Sequence, residues 1–239
     1  MKFLLFSILY HIVAFQANGQ STPVIVELFT SQGCSSCPAA DKNLTEILKK
    51  AESENQPVYG LSFHVDYWNY IGWKDPYSQG AFTERQKNYS MKLGLDGIYT
   101  PQMIVNGQHE FVGSNKNGIE NSIREGLRQT DHYKIEVSFL RVSKKILRVS
   151  YNLDNDPSGE ALSVALVQKS IVNFVPKGEN RGKKLHHDNV VLFFKVVPLQ
   201  RKSELDISLP ELSSQNISVI LYVQDMQYHV VAATMKSLN

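Results

Sequence analysis

Apolar and polar positions follow two different periods along the chain, and the change falls near residue 131. Before it, Val24 to Phe29 and Val58 to Val65 are apolar runs with β-branched and aromatic content, which predicts strands. Cys37 to Glu54, Ala81 to Leu93 and Gly118 to Leu127 carry helical spacing. Gln102 to Val105 and Glu110 to Val112 flank Asn106-Gly107, a two-residue hairpin signal because both turn positions need a positive φ. Strand, helix, strand, helix, hairpin, helix is the order of an α/β unit. After residue 131 the period is two, in Lys134 to Leu140 and Ile146 to Tyr151, and further β runs cover 161–168, 190–197, 217–224 and 228–235. Six or seven short strands without helices predict a small, sandwich-like all-β unit. The polar stretch Pro176 to Asn189, with Gly178, Gly182 and His186-His187, reads as an exposed loop.

Composition narrows the class. The chain has 239 residues, 42% of them hydrophobic and 20% charged, which excludes a disordered chain, and its two cysteines exclude a disulfide-rich scaffold. With 25 basic against 23 acidic residues there is no nucleic-acid signature. Lys2 precedes an apolar run from Phe3 to Phe15, broken only at Ser7 and His11, and Ala17-Asn18-Gly19 puts small residues where a signal peptidase reads. This predicts a secretory leader over residues 1–19, cleaved before Gln20. An uncleaved anchor is the alternative, for which the run is short of the roughly 20 residues that span a bilayer. Cleavage would leave a periplasmic or secreted chain with no membrane span, in an oxidising compartment. The expected organisation is a leader, an α/β unit over 20–130 and a β unit over 131–239.

Candidate chemistry concentrates in Phe29-Thr30-Ser31-Gln32-Gly33-Cys34-Ser35-Ser36-Cys37-Pro38, which joins the first strand to the first helix. Cys34 at a helix N-terminus would have its thiolate favoured by free N–H groups and the helix dipole, making it the attacking sulfur. Cys37, one turn on, would resolve the mixed disulfide. Pro38 suits a first helical turn, where its missing N–H costs nothing. Two other readings compete: half of a zinc site, although no second cysteine pair exists, and an inert structural disulfide, although so short a loop constrains the unfolded chain little.

These residues resemble the thioredoxin-like superfamily, with Val24 to Phe29, Cys34-Ser35-Ser36-Cys37 and Thr100-Pro101 matching its strand, active-site turn and proline loop. The resemblance implies that Pro101 takes a cis peptide bond facing the dithiol, with Thr100 beside it, and that a buried first-strand acid, here Glu27, assists proton transfer. More closely, Glu27 to Pro38, Phe63-His64-Val65-Asp66-Tyr67-Trp68 and Gly178-Glu179-Asn180-Arg181-Gly182 resemble an exported bacterial family that joins a thioredoxin-like domain to a β-rich tail and has no assigned function.

Ser31-Gln32-Gly33 replaces the aromatic residue that ordinary thioredoxins carry before the first cysteine, and Asp66 to Thr83 is surplus length. That surplus holds Tyr67, Trp68, Tyr70, Trp73 and Tyr77, which suits a lid or a peptide-binding wall, or else packing on the β unit. His64 with Asp66 fits a proton shuttle or a local hydrogen bond, and His186-His187-Asp188 a metal site. The expectation is an exported thiol–disulfide oxidoreductase needing no organic cofactor. It would act on a protein or small-molecule thiol or disulfide and draw electrons from a partner redox protein. The alternatives are a non-enzymatic envelope-binding module with a permanently oxidised pair, and a copper or zinc carrier.

Overall fold

The computed structural model describes residues 22–209 and 216–238, so the expected leader lies outside it. Those residues form a sheet-rich mixed α/β protein with three α-helices and thirteen strands. In chain order they are β1 (Val24–Thr30), α1 (Cys37–Ser53), β2 (Val58–His64), α2 (Gly80–Leu93), β3 (Gln102–Val105), β4 (His109–Val112) and α3 (Lys116–Gly126). Then follow β5 (Ile135–Arg141), β6 (Ile146–Leu153), β7 (Ala161–Gln168), β8 (Ile171–Phe174), β9 (Lys184–His187), β10 (Val190–Pro198), β11 (Lys202–Ser208), β12 (Ile217–Gln224) and β13 (Val230–Leu238).

All seven residues of β1 are buried, because the strand is central and covered on both faces. It pairs in parallel with β2 and antiparallel with β3. Its side chains alternate between two cores. Val24, Val26 and Leu28 meet Ala40, Leu44, Ile47 and Ala51, the apolar stripe of α1, and Ile119 and Ile123 of α3. Ile25 and Phe29 face the other way, toward Phe82 and Tyr89 of α2.

Hydrogen bonding does not stop at residue 131. One eight-stranded sheet runs β13-β12-β7-β10-β2-β1-β3-β4, so strands from both halves share it. The join is narrow: β10 meets β2 at Val190 opposite Ser62, where the Ser62 N–H donates to Asn189 O (2.9 Å) and the Asn189 side chain donates to Gly60 O (3.0 Å). The core beside it is shared, since Phe29 and Phe63 pack in one cluster with Val167, Val191 and Tyr222. β5, β6 and β11 form a separate sheet. In β6 Leu147, Val149, Tyr151 and Leu153 point inward and meet Leu162, Val164, Val219 and Leu221 of the large sheet.

β8 and β9 form a third, two-stranded sheet. The sequence pattern predicts neither of them, nor β11. The segment 176–189 also departs from the expected exposed loop: it contains β9, and Asn180, Leu185, His187 and Asn189 are buried. Leu185 and His187 are buried where β9 packs against α1, with Thr45 Oγ1 donating to Asp188 Oδ2 at 2.6 Å, whereas Asn180 is buried against the turn after β1 and Asn189 against β2.

Candidate functional site

β1 ends at Thr30, and the chain must reverse before α1 can lie back across the sheet. Ser31 to Ser36 make that turn. The Cys34 N–H donates to Ser31 O (3.2 Å) and the Cys37 N–H to Cys34 O (3.3 Å). Cys34 and Cys37 are joined in a disulfide. α1 starts at Cys37 with Pro38 in its first turn, and its N-cap residue, Ser36, makes no side-chain cap bond. The Ser36 hydroxyl instead lies 3.3 Å from Cys34 Sγ. Once reduced, a thiolate on Cys34 would meet this hydroxyl and the free N–H groups of the helix start.

The proline loop closes on the same turn. The Thr100–Pro101 peptide bond is cis, and Pro101 O accepts from the Gly113 N–H (2.9 Å). A Cβ added to Gly113 would stand 2.6 Å from Ala40 Cβ and 3.1 Å from Pro101 Cβ, so only glycine lets Pro101 sit this close to the first turns of α1. Trp68 Nε1 donates to Thr100 Oγ1 at 2.7 Å, and Trp68 Cβ lies 3.2 Å from the Cβ position of Gly33. Trp68 therefore links the proline loop to Gly33, the residue before Cys34, while Pro101 lies near Ala40 in the first turn of α1. Tyr67 is half-buried, with its hydroxyl donating to Gln86 (3.3 Å), and Trp73 is half-buried further along the same loop. Tyr70 stays exposed and stacks on Trp68.

Glu27 is placed elsewhere. Its side chain projects to the α2 face of the sheet, opposite α1, where Arg85 Nε and Nη2 donate to its carboxylate at 2.6 and 2.7 Å. Tyr89 and Tyr222 hydroxyls donate to it as well, at 2.7 and 3.1 Å.

The titratable groups beside the turn come from other positions. His64, at the end of β2, is fully buried, with Nδ1 2.7 Å from Asp75 Oδ2. Asp75 Oδ2 also accepts the Gln32 N–H (2.8 Å), two residues before Cys34. Burial works against a charged His64, but Asp75, its hydrogen bond and Asp41 outweigh this and raise the imidazole pKa. Burial likewise opposes the Asp75 carboxylate, but His64 and the N–H groups of Gln32 and Tyr77 hold its pKa low. His187 stands edge-on to His64, 4.8 Å between ring centroids, with Nδ1 3.4 Å from Asp41 Oδ2. Asp66, the expected partner of His64, instead accepts from Thr83 Oγ1 (2.6 Å). Among the described residues no group of three or more His, Cys, Asp or Glu side chains is arranged to hold a metal.

The β8–β9 turn covers the dithiol. Asn180 Nδ2 donates to Gln32 O (3.0 Å) and Cys34 O (2.8 Å), and the Glu179 carboxylate accepts the Ser35 N–H (2.9 Å). Asn173 Nδ2 donates to Gln32 Oε1 (2.8 Å). Under this cover Cys34 is 1% and Cys37 0% exposed. Asp75, Glu179 and Asn180 were not singled out as functional positions from sequence. The signal for the last two was the phrase Gly178 to Gly182, which marks a resemblance without saying what it touches.

Fold and site together define a mixed α/β protein whose Cys-x-x-Cys disulfide is sealed beneath its own β-hairpin. Residues 25–224 match the family described as protein of unknown function (DUF1223), and the chain belongs to that family. A crystal structure of a protein from Agrobacterium tumefaciens is 30% identical, with a TM-score of 0.63 over 92% of this chain and 96% of that one. HBP35 of Porphyromonas gingivalis has a TM-score of 0.66 at 15% identity, over 91% of this chain and 76% of that one, a likeness of fold alone. No curated protein matches the chain.

Proposed function

We propose that the protein is a thiol–disulfide oxidoreductase of thioredoxin-like build, working outside the cytoplasm after loss of a leader at residues 1–19. The observation that carries this reading is the Cys34–Cys37 disulfide at a strand-to-helix turn, with Ser36 Oγ beside Cys34 Sγ and Pro101 against the first turns of the same helix. In the reducing direction the Cys34 thiolate attacks one sulfur of a substrate disulfide and the other sulfur leaves as a thiolate, which takes up a proton. The Cys37 thiol loses its proton and attacks Cys34 Sγ, forming the Cys34–Cys37 bond and releasing the second substrate thiol. The dithiol loses two electrons and the substrate gains them, so a partner redox protein must restore it. Thr100 and Trp68 border the site where the substrate chain would lie.

Equilibration in glutathione buffers, with alkylation followed against pH, tests this. A potential above about −250 mV with a Cys34 pKa below about 7.5 is expected, and Cys37→Ser should trap mixed disulfides on Cys34. A potential below about −300 mV with an unshifted thiol overturns the reading. The burial of both cysteines favours a second reading, a binding module whose disulfide stays closed. It predicts that Cys34→Ser leaves the phenotype unchanged.

A further inference from the structure

We propose that residues 176–181 are a cap that must lift before a substrate sulfur reaches Cys34, with Asn180 as its latch. This rests on the redox reading above and adds to it how the site is regulated. In the stretch 176–184 Asn180 is the only fully buried residue, although Glu179 and Arg181 on either side are exposed. Its amide is used completely: both N–H groups go to carbonyls of the dithiol turn, at Gln32 and Cys34, and its Oδ1 accepts from Lys183 Nζ (3.0 Å). Burying an amide here is stable only while the turn supplies both acceptors.

A wedge adds to the latch. Ile71 Cδ1 would stand 2.8 Å from a Cβ on Gly33, next to Cys34, and 2.4 Å from one on Gly178, in the cap. One isoleucine side chain thus lies against both the turn and the cap. Gly178 and Gly182 have φ of +83° and +80°, so the residues between them leave and rejoin the hairpin through two left-handed positions. Below them the hairpin is closed by Gly182 N–H to Val175 O (2.8 Å) and Val175 N–H to Lys183 O (3.0 Å). The cap can therefore lift as an arm while β8 and β9 remain paired.

Glu179 adds a chemical effect. Its carboxylate takes the Ser35 N–H, a donor on the residue that follows Cys34. With the cap closed, Cys34 is covered and the neighbouring Ser35 N–H is occupied. Lifting it uncovers the sulfur and frees the donor.

The test measures the second-order rate of disulfide reduction by dithiothreitol in the oxidised full chain. Asn180→Ala removes two hydrogen bonds of the closed state and is expected to speed reduction by roughly tenfold to a hundredfold. Glu179→Ala, at an exposed position that tolerates change, is expected to speed it several-fold. Gly107→Ala, a destabilising change in the β3–β4 turn, should leave the rate at the wild-type value, which separates cap opening from general loosening. Unchanged rates in folded Asn180→Ala and Glu179→Ala overturn the cap, and if Asn180→Ala does not fold, Glu179→Ala alone decides. A fast variant whose potential nevertheless lies below about −300 mV keeps the cap and removes the redox function.

Discussion

Arg85 grips the Glu27 carboxylate with two hydrogen bonds, from Nε at 2.6 Å and Nη2 at 2.7 Å, between α2 and the central strand. The same Nη2 donates to the hydroxyls of Tyr89 (2.9 Å) and Tyr222 (2.8 Å), and the guanidinium lies over the ring of Phe194 at 4.5 Å. Burial disfavours the charge on Arg85, but Glu27 and the two tyrosines keep its pKa well above the ordinary value. A first-strand acid spent in this way is a structural brace tying β1 and α2 to β12. Arg85→Ala should cost about 3–5 kcal/mol in urea unfolding, because it strands a buried carboxylate. The double change Arg85→Met with Glu27→Gln should recover part of that loss, and neither should move the potential of the dithiol.

His64 and Asp75 make stability depend on pH in two directions. The folded pKa of His64 is raised above 6.5, so its contribution is complete below that pH and is lost as pH climbs through the folded value. The folded pKa of Asp75 lies below 3.8, so its contribution is present above that pH and is lost as pH falls through the folded value. Between about pH 4 and 6.5 the pair contributes fully. His64→Gln should cost about 2 kcal/mol at pH 6, and its unfolding free energy should lose the decline that wild type shows above pH 6.5. Parallel curves for the two proteins would remove the pair from the account.

Gly107 is required for a reason beyond its turn. Its φ is +69°, as the Asn106-Gly107 hairpin demands, and an added Cβ would fall 1.9 Å from Tyr228 O. That carbonyl is held in place by Gln224 Nε2 (2.6 Å). Gly107→Ala should destabilise by more than about 1 kcal/mol, and thermal melts should register it as a lowered midpoint.

Trp68 joins the aromatic loop to the proline loop through Thr100. Trp68→Phe keeps an aromatic ring, though a smaller one, and removes the donor. Exchange with a cystine-containing peptide should slow by about tenfold, while reduction by dithiothreitol stays near the wild-type rate. Equal slowing of both would assign Trp68 to the support of the turn and not to the substrate.

Much of the element order was legible because each element carries its own period. β3, β7 and β12 coincide with the apolar runs at 102–105, 161–168 and 217–224, and α1 ends one residue before the predicted limit. β9 and β11 were not legible, since their alternate residues are polar and exposed, and β8 was not because it is four residues long and its apolar Val172 and Phe174 face solvent; pairing, not composition, makes all three strands. The site was half legible. Spacing and placement pointed to Cys34 and Cys37, but Asn180 lies 146 residues from Cys34 in sequence, and a buried asparagine reads like any loop residue until its acceptors are known. Glu27 was legible as a buried acid, whereas its direction depends on strand parity and on Arg85.

The narrow join between β2 and β10 also bears on how such a chain is inherited. An exchange of gene segments with its breakpoint near residue 131 would leave β2 with an open edge and take Val167, Val191 and Tyr222 from the cluster around Phe29 and Phe63. An uncovered edge of that kind invites pairing with other chains. A foreign second half would be accepted only if it supplied equivalents of Asn189 for Gly60, of Tyr222 for Arg85 and of Asn180 for the dithiol turn. The two halves are thus bound to change together, and lineages of this family should gain or lose them as one piece.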